Sequence, residues 1–221
     1  SFYSQTTNDP NVLVYFGTGK LETISDITDL SVQRIYGIKD TGARNGTPST
    51  ALVVDGSLTN ATDSTTGTSS TSFSGSGWYV DLKLNTTTGE PGSGNTAAGA
   101  RAIYSGVLVN GMLFITAFTP TNNVCDFGGT PTLLVFNSGT GSAPGSPVLD
   151  ITGDGAVDSS DTRSGQPARA INLGAGVPSQ PVMDTERKTL IVQTSDTLLH
   201  PVVIDTGGSP VSADRWKILN R

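Results

Sequence analysis

Short runs of β-branched and aromatic residues recur along the chain, and each is bounded by residues that favour turns, chiefly Gly, Pro, Ser and Thr. Val, Ile, Tyr and Phe suit the pleated, half-buried surface of a strand, whereas Gly and Pro interrupt regular elements. The pattern therefore predicts an all-β fold built from many short strands. The predicted strands are Val12–Phe16, Ala51–Asp55, Trp78–Leu84, Ala102–Val109, Met112–Thr119, Thr132–Asn137, Pro181–Asp184, Thr189–Thr194 and Pro201–Asp205.

Composition supports this fold class and limits the partners. The 221 residues include 27 Gly and 12 Pro, only 14% are charged, and 35% are hydrophobic, which is enough for a sizeable core. This length suits one large all-β domain or two small ones. The net charge of −6 and the lack of a basic run argue against nucleic acid or an anionic membrane as a partner.

Turn chemistry predicts where neighbouring strands pair. Asn110-Gly111 separates two β-type runs, and this dipeptide accepts the positive φ angles of a two-residue hairpin. A second hairpin is predicted to turn at residues 185–188. The polar stretches Thr59–Gly77 and Asn85–Gly99 are predicted to be loops rather than strands. A short helix is predicted over Ile27–Tyr36, where Leu30, Ile35 and Tyr36 would share a face.

Residues 150–161 read Asp-Ile-Thr-Gly-Asp-Gly-Ala-Val-Asp-Ser-Ser-Asp, with oxygen-bearing side chains at positions 1, 3, 5, 9 and 12 and glycine at position 6. Calcium takes about six to eight oxygen ligands, and a glycine at position 6 allows the sharp turn of a loop that wraps around it. Four carboxylates in so short a loop repel one another unless a cation lies between them. The predicted calcium ligands are the side chains of Asp150, Thr152, Asp154, Asp158 and Asp161, together with the carbonyl of Ala156.

The flanks of this loop differ from those of an EF-hand, which has a helix on each side. The β-type run 131–137 lies upstream, and a polar stretch with no helical period follows. We therefore expect the ion to order a loop between strands and to act in structure or switching rather than in chemistry. The alternative is an acidic surface turn without metal, because Asp and Gly are also common turn formers.

Candidates for catalysis are few. The single histidine, His200, precedes a proline and is accompanied by no Gly-x-Ser-x-Gly motif, so a structural or surface role is expected. Residues 16–20 superficially resemble a phosphate-binding loop but lack the required upstream glycine and the Ser or Thr after Lys20. Cys125 is the single cysteine, which excludes an intramolecular disulfide. No apolar stretch is long enough to span a bilayer, no signal-peptide pattern opens the chain, and its first residue is expected to be internal to a longer protein.

Eight strings, taken in order, resemble the C-terminal domain of the PilY/PilC family of type IV pilus tip and biogenesis proteins. They cover nearly the whole chain, and their common order carries the resemblance, since no single string is decisive. The strings are residues 14–20 (VYFGTGK), 34–40 (RIYGIKD), 77–82 (GWYVDL), 99–103 (GARAI) leading into the 104–119 hairpin, the 119–130 segment with Thr119-Pro, Cys125 and Gly128-Gly-Thr130, the Asp150 loop, 174–182 (GAGVPSQPV) and 215–219 (RWKIL).

The resemblance implies a modified β-propeller of antiparallel blades with an inserted, EF-hand-like calcium loop. Residues 1–221 would form part of that domain, with residues 150–161 as the loop. The family's calcium positions fall on Asp150, Thr152, Asp154, Ala156 and Asp158, and Thr152 replaces the usual Asn or Asp. A four-stranded blade needs about 40 to 50 residues, so a partial or divided propeller is expected, with open edges that another chain or its own loops must cover.

The resemblance also implies a non-enzymatic, bacterial, extracellular or cell-surface protein associated with the pilus. Its expected roles are calcium-dependent control of pilus extension and retraction, twitching motility, adhesion and surface sensing. Expected partners are pilin or minor pilins, the remainder of its own propeller, and a host or abiotic surface. Two alternatives remain open: a quinoprotein-like enzyme on a propeller scaffold, which would need a cofactor-binding ring near the metal, and a generic calcium-stabilised surface module. Near the loop, the basic groups are Arg163 and Arg169.

Overall fold

Antiparallel strands form almost all of the regular structure in the part of the chain that the computed structural model describes, residues 2–4, 12–40, 55–65, 75–96, 99–121 and 128–208. The all-β prediction is confirmed. The strands are β1 (Phe2–Ser4), β2 (Val12–Gly17), β3 (Arg34–Asp40), β4 (Thr59–Asn60), β5 (Gly77–Asp81), β6 (Val107–Val109), β7 (Met112–Pro120), β8 (Gly129–Asn137), β9 (Thr162–Arg163), β10 (Gln166–Pro167), β11 (Ala170–Asn172), β12 (Val182–Asp184), β13 (Thr189–Gln193) and β14 (Leu199–Val203); the helix α1 (Ile24–Thr28) lies between β2 and β3, and a 3-10 turn spans Asp55–Ser57.

The first sheet has the strand order β1-β2-β3-β5-β4. All its pairs are antiparallel except β4 with β5, which is parallel. Alternate residues of β2 and β3 point to opposite faces, as the strand period of two requires. Tyr15 and Ile35 are fully buried, whereas Phe16 is 37% exposed and stacks on Tyr36 across the strand pair.

The second sheet has the order β11-β8-β7-β6, and the third has the order β12-β13-β14. The hairpin predicted at Asn110-Gly111 is confirmed: these residues have φ angles of 46° and 78°, and Val109 pairs with Met112. The hairpin predicted at residues 185–188 is also confirmed, since it joins the last residue of β12 to the first of β13.

Two hydrophobic clusters place the second sheet in the middle of the described structure. One cluster joins the first and second sheets and contains Tyr15, Trp78, Leu113 and Phe136. The other joins the second and third sheets and contains Phe114, Leu133, Leu149, Leu190 and Val202. Strands β7 and β8 are therefore buried on both faces, which explains why they read as nearly continuous apolar runs rather than as an alternation.

The prediction of a helix over Ile27–Tyr36 is wrong. The helix begins earlier, where Thr23 and Asp26 form a capping box, and it ends before Asp29. Residues 34–40 instead form β3, because pairing with β2 and β5 buries Ile35 completely while Leu30 stays 67% exposed. The two apolar residues thus do not share a face, and sheet pairing outweighs a weak helical period.

Several other elements differ from their predicted form because they pair with distant residues. Within Thr59–Gly77, residues 59–60 form β4 beside β5, so this stretch is not entirely a loop. The strand predicted over Ala102–Val109 is interrupted, with Arg101 bridging Phe118 before β6 begins. Residues 51–54 of the predicted Ala51–Asp55 strand, residues 66–74, Cys125 and the 215–219 string lie outside the described residues. In the described ranges, no helix has the length and apolar character needed to cross a membrane.

Candidate metal-binding loop

The 150–161 loop begins at the edge of the third sheet. Leu149 forms an antiparallel bridge with Ile204, directly after β14. The Asp150 N–H donates to the Val203 carbonyl at 3.0 Å, and the Asp205 N–H donates to the Val148 carbonyl at 3.1 Å. Val148 and Leu149 are buried in the cluster between the second and third sheets. The backbone at the start of the loop is therefore held by a sheet.

Glycine at position 6 adopts the conformation that the sequence pattern predicts. Gly155 has a φ angle of 89°, in the left-handed region that side chains disfavour. Its N–H donates to the Asp150 carboxylate at 2.9 Å. The Gly153 N–H donates to the other oxygen of the same carboxylate at 2.6 Å. The turn is thus closed onto the first predicted ligand.

The first and last carboxylates of the loop are buried, with Asp150 6% and Asp161 1% exposed. Asp161 Oδ1 accepts the N–H groups of Ile151 at 2.8 Å and Thr152 at 3.2 Å, and Oδ2 accepts the Asp158 N–H at 2.9 Å. Asp161 therefore joins the two ends of the loop. Burial is tolerated because each carboxylate is satisfied by several backbone donors.

The other four predicted ligands lie at the exposed side of the loop: Thr152, Asp154, Ala156 and Asp158. The Thr152 hydroxyl donates to Asp150 Oδ1 at 3.3 Å, and Asp154 Oδ1 accepts the Ala156 N–H at 2.9 Å. Asp158 Oδ1 accepts both the hydroxyl and the N–H of Ser160 at 2.7 Å. These hydrogen bonds from Ser160 lower the pKa of the Asp158 carboxyl, so it stays ionised to lower pH than an isolated aspartate.

In donor chemistry and order, the loop fits a hard cation such as calcium, because it presents carboxylate, hydroxyl and carbonyl oxygens along a preformed turn. The geometry of the loop fits a metal site less well than its donor chemistry does. Within the described ranges, no group of three or more Asp, Glu, His or Cys residues is gathered closely enough to hold a metal. Among the predicted ligands, hydrogen bonds join Asp150 with Thr152, Thr152 with Asp161, Asp158 with Asp161, and Asp154 with Ala156. Asp154 and Asp158 instead accept hydrogen bonds from the N–H groups two residues further along the exposed part of the loop.

Glu90 is part of this region but was not found by sequence reasoning. Its Oε1 accepts Arg163 Nη1 at 2.8 Å, the Arg169 N–H at 2.9 Å and the Ala170 N–H at 3.2 Å. Glu90 lies in the Asn85–Gly99 stretch, which the sequence predicts only to be a polar loop. No local pattern links it to residues more than seventy positions later, so no sequence signal was available.

Arg163 and Arg169 both hold backbone. Besides Glu90, Arg163 Nη1 contacts the carbonyls of Thr88 at 3.1 Å and Ala170 at 2.6 Å. Arg169 is 2% exposed; its guanidinium donates to the carbonyls of Thr62, Ala61 and Gly141 and lies 5.2 Å from the centre of the Phe136 ring. Burial lowers the pKa of Arg169 to about 10, and it is still protonated at neutral pH.

His200 lies on β14, and its Nε2 is 2.9 Å from the Thr194 hydroxyl. The same hydroxyl donates to Asp196, which lowers the pKa of that carboxyl. The acid thus contacts the threonine, whereas in a hydrolase triad the acid orients the imidazole. The described contacts of His200 are those of a structural side chain.

Comparison with known proteins gives relatives along most of the chain, although no family model matches it. Two proteins of Xylella fastidiosa (strain Temecula1 / ATCC 700964), each named type IV pilus biogenesis factor PilY1 homolog, are similar to it. One is 24% identical over 218 residues, covering 91% of this chain and 14% of that protein. The other is 25% identical over 212 residues, covering 94% and 16%. The chain therefore spans less than a fifth of the length of these relatives.

The fold is similar to that of the crystal structure of the Pseudomonas aeruginosa PilY1 C-terminal domain. The TM-score is 0.66 at 19% sequence identity, and the match covers 94% of this chain and 44% of that one. The predicted resemblance is thereby confirmed. Sequence similarity and a shared fold each extend over more than nine-tenths of its residues, so the chain resembles PilY1 proteins along nearly its whole length.

Proposed function

We propose that the chain is part of a calcium-binding type IV pilus biogenesis factor that acts at the cell surface. In this proposal the protein controls pilus assembly and retraction and thereby contributes to surface adhesion and twitching motility. The observation that carries it is the similarity, over nearly the whole chain, to proteins named type IV pilus biogenesis factor PilY1 homolog. Pilin or minor pilins are its expected partners.

The proposed fold is a partial β-propeller. The described sheets pack side by side in chain order, with the second between the first and the third, as consecutive blades do. The chain covers 44% of the similar solved domain, which supports completion of the propeller by further polypeptide. Such a neighbour would cover the outward face of the first sheet, where Phe16, Tyr36 and Tyr79 form a cross-strand aromatic row.

The proposed calcium ligands are the side chains of Asp150, Thr152, Asp154, Asp158 and Asp161 and the Ala156 carbonyl. Calcium would supply positive charge at the centre of a loop whose carboxylates otherwise repel. The backbone N–H bonds to Asp150 and Asp161 hold these two carboxylates in place beforehand. The exposed carboxylates would supply the movable part of the site. Ordered and open loops would then differ in shape, which a pilus component could distinguish.

A binding role is favoured over the quinoprotein-like alternative by the two arginines near the loop. A redox cofactor with anionic groups would need cationic side chains free to contact it. Arg163 is paired with Glu90, and Arg169 is buried against three backbone carbonyls. Absorbance of the purified protein beyond the aromatic band would contradict the non-enzymatic proposal.

Calorimetric titration of the purified chain with calcium chloride tests the metal site. The wild type should bind one ion with an affinity in the micromolar to millimolar range. Asp154→Ala should weaken binding at least tenfold, because an exposed carboxylate ligand is lost. The matched control is Asp184→Ala, which removes an aspartate that also accepts local N–H bonds but lies in the third sheet. Equal calcium uptake in the wild type and the Asp154 variant would overturn the ligand assignment.

The pilus role is tested in the full-length protein, in the bacterium that encodes it. Asp158→Ala should leave the protein stable but reduce the number of surface pili, whereas Asp158→Lys should keep pili and impair twitching, since the ammonium group mimics bound charge. Wild-type piliation in the Ala strain, with calcium binding shown to be lost, would mean that the metal only stabilises the loop. Failure of pilin to co-purify with the protein would favour a generic surface module.

A further inference from the structure

The segment from Val148 to Ala170, here called the strap, is attached to two different sheets. At its start, residues 148–150 extend the third sheet beyond β14 through the Leu149–Ile204 bridge and its two flanking hydrogen bonds. At its end, β11 pairs with β8 of the second sheet, where Ala170 lies opposite Leu134. The candidate calcium loop is therefore the middle of a connection between neighbouring sheets.

One carboxylate adds to the second attachment, beside the pairing of β11 with β8. Glu90 accepts the N–H groups of Arg169 and Ala170 and also pairs with Arg163, so a single side chain holds the last part of the strap at three points. The pair is partly shielded, with Arg163 27% and Glu90 23% exposed at the side chain. Shielding strengthens such a pair relative to a fully exposed one.

Asp161 links this attachment to the loop. It lies next but one to Arg163 in the chain, and its carboxylate holds the N–H groups of Ile151, Thr152 and Asp158. Because one residue separates them, the position of Arg163 constrains the backbone that carries Asp161, and the Asp161 carboxylate in turn holds the N–H groups of the first residues of the loop. The path from Glu90 to the start of the loop thus runs through the 2.8 Å ion pair with Arg163, the backbone from Arg163 to Asp161, and the 2.8 Å hydrogen bond from the Ile151 N–H to Asp161.

We propose that Glu90 and Arg163 are positioning residues for the calcium loop, and that the strap couples order in this loop to the packing of the third sheet against the second. The coupling rests on the proposed calcium function, because calcium supplies the input. The output is the edge of the third sheet at Val203 and Asp205, which is paired with the start of the strap. Partners that guide a metal ligand from outside its coordination shell commonly change metal affinity by about 10- to 100-fold.

Calcium titration of the purified 221-residue chain and of its Glu90→Gln variant tests the positioning role. Glutamine keeps the shape and an acceptor oxygen but loses the charge that pairs with Arg163. The dissociation constant should rise about tenfold, although Glu90 is not a ligand. Arg163→Gln should give a similar rise, and the double variant should be no worse than either single one if the pair acts as a unit. The matched control is Asp184→Asn, which removes an exposed ion pair with Arg187.

Hydrogen exchange of the same proteins in chelator tests the strap without metal. Glu90→Gln should speed exchange at the amides of Ile151, Thr152 and Asp158, held by Asp161, and at Asp150 and Asp205. Exchange in the first sheet should stay unchanged, which excludes general destabilisation. Unchanged exchange at the loop amides would overturn the coupling. If wild-type protein takes up no calcium but the exchange pattern changes as expected, the calcium function fails and the mechanical connection stands.

Discussion

Asp161→Asn is expected to destabilise the chain even when no calcium is present. In the wild type, this 1% exposed carboxylate accepts three backbone N–H groups, two on Oδ1 and one on Oδ2. Asparagine preserves the volume and one acceptor oxygen, which can still bind Ile151 and Thr152. Its amide nitrogen, however, faces the Asp158 N–H, and two donors cannot bond to each other.

The size of the effect follows from the bonds that change. A hydrogen bond to a charged group contributes about 1.5–3 kcal/mol, and a neutral one about 0.5–1.5 kcal/mol. One charge-assisted bond is lost outright and two become neutral. The Asp158 N–H can bind water at the exposed side of the loop, so the full desolvation penalty is not added. The lost bond contributes about 1.5–3 kcal/mol and each weakened bond about 1–1.5 kcal/mol, so the expected loss in free energy of unfolding is about 3.5–6 kcal/mol.

Urea unfolding in chelator measures this loss, with Asp154→Asn as the matched control. Asp154 also lies in the loop but is exposed and accepts one local N–H, so its substitution should cost about 0.5 kcal/mol or less. In calcium, both variants should bind the ion less tightly if both residues are ligands. Equal unfolding midpoints in chelator for the wild type and both variants would refute the structural role of Asp161.

Two further perturbations probe Arg101, whose guanidinium binds backbone carbonyls around α1, and the exposed side of the calcium loop. Arg101→Met should lower the free energy of unfolding by about 2–4 kcal/mol. The guanidinium of this 1% exposed residue donates hydrogen bonds to four backbone carbonyls, those of Lys20, Asp26, Asp29 and Gly99. An unchanged chemical denaturation midpoint would contradict this role. Ser160→Ala should raise the pKa of Asp158 in an NMR titration in chelator. Because Ser160 lowers the pKa of Asp158, the hydrogen bonds between them stabilise the folded chain fully above the ordinary aspartate pKa of about 3.9. This stabilisation is lost as pH falls through the lowered pKa. An unshifted Asp158 titration in the Ser160 variant would exclude the Ser160 hydroxyl as the cause.

Local chemistry was sufficient to predict the fold class, both hairpins and the turn at Gly155. Asn110-Gly111 accepts positive φ in any context, so the hairpin between β6 and β7 is specified by its own two residues. The turn at Gly155 is likewise a property of the short segment around it. Local chemistry did not predict the pairing of residues 34–40. Ile35 is buried because β3 pairs with β2 and β5, and other segments separate β3 from each of these strands in the sequence.

The division of the loop into buried and exposed carboxylates was decided only by the tertiary structure. In the sequence, Asp150, Asp154, Asp158 and Asp161 are equivalent members of a spacing pattern. In the folded chain, Asp150 is buried because the preceding residues pair with the third sheet, and Asp161 because it binds the start of the loop. Glu90, from a distant loop, pairs with Arg163, which follows Asp161 by two residues. Burial and long-range pairing depend on which segments meet in space, whereas turn geometry and ligand type depend on neighbours in the chain.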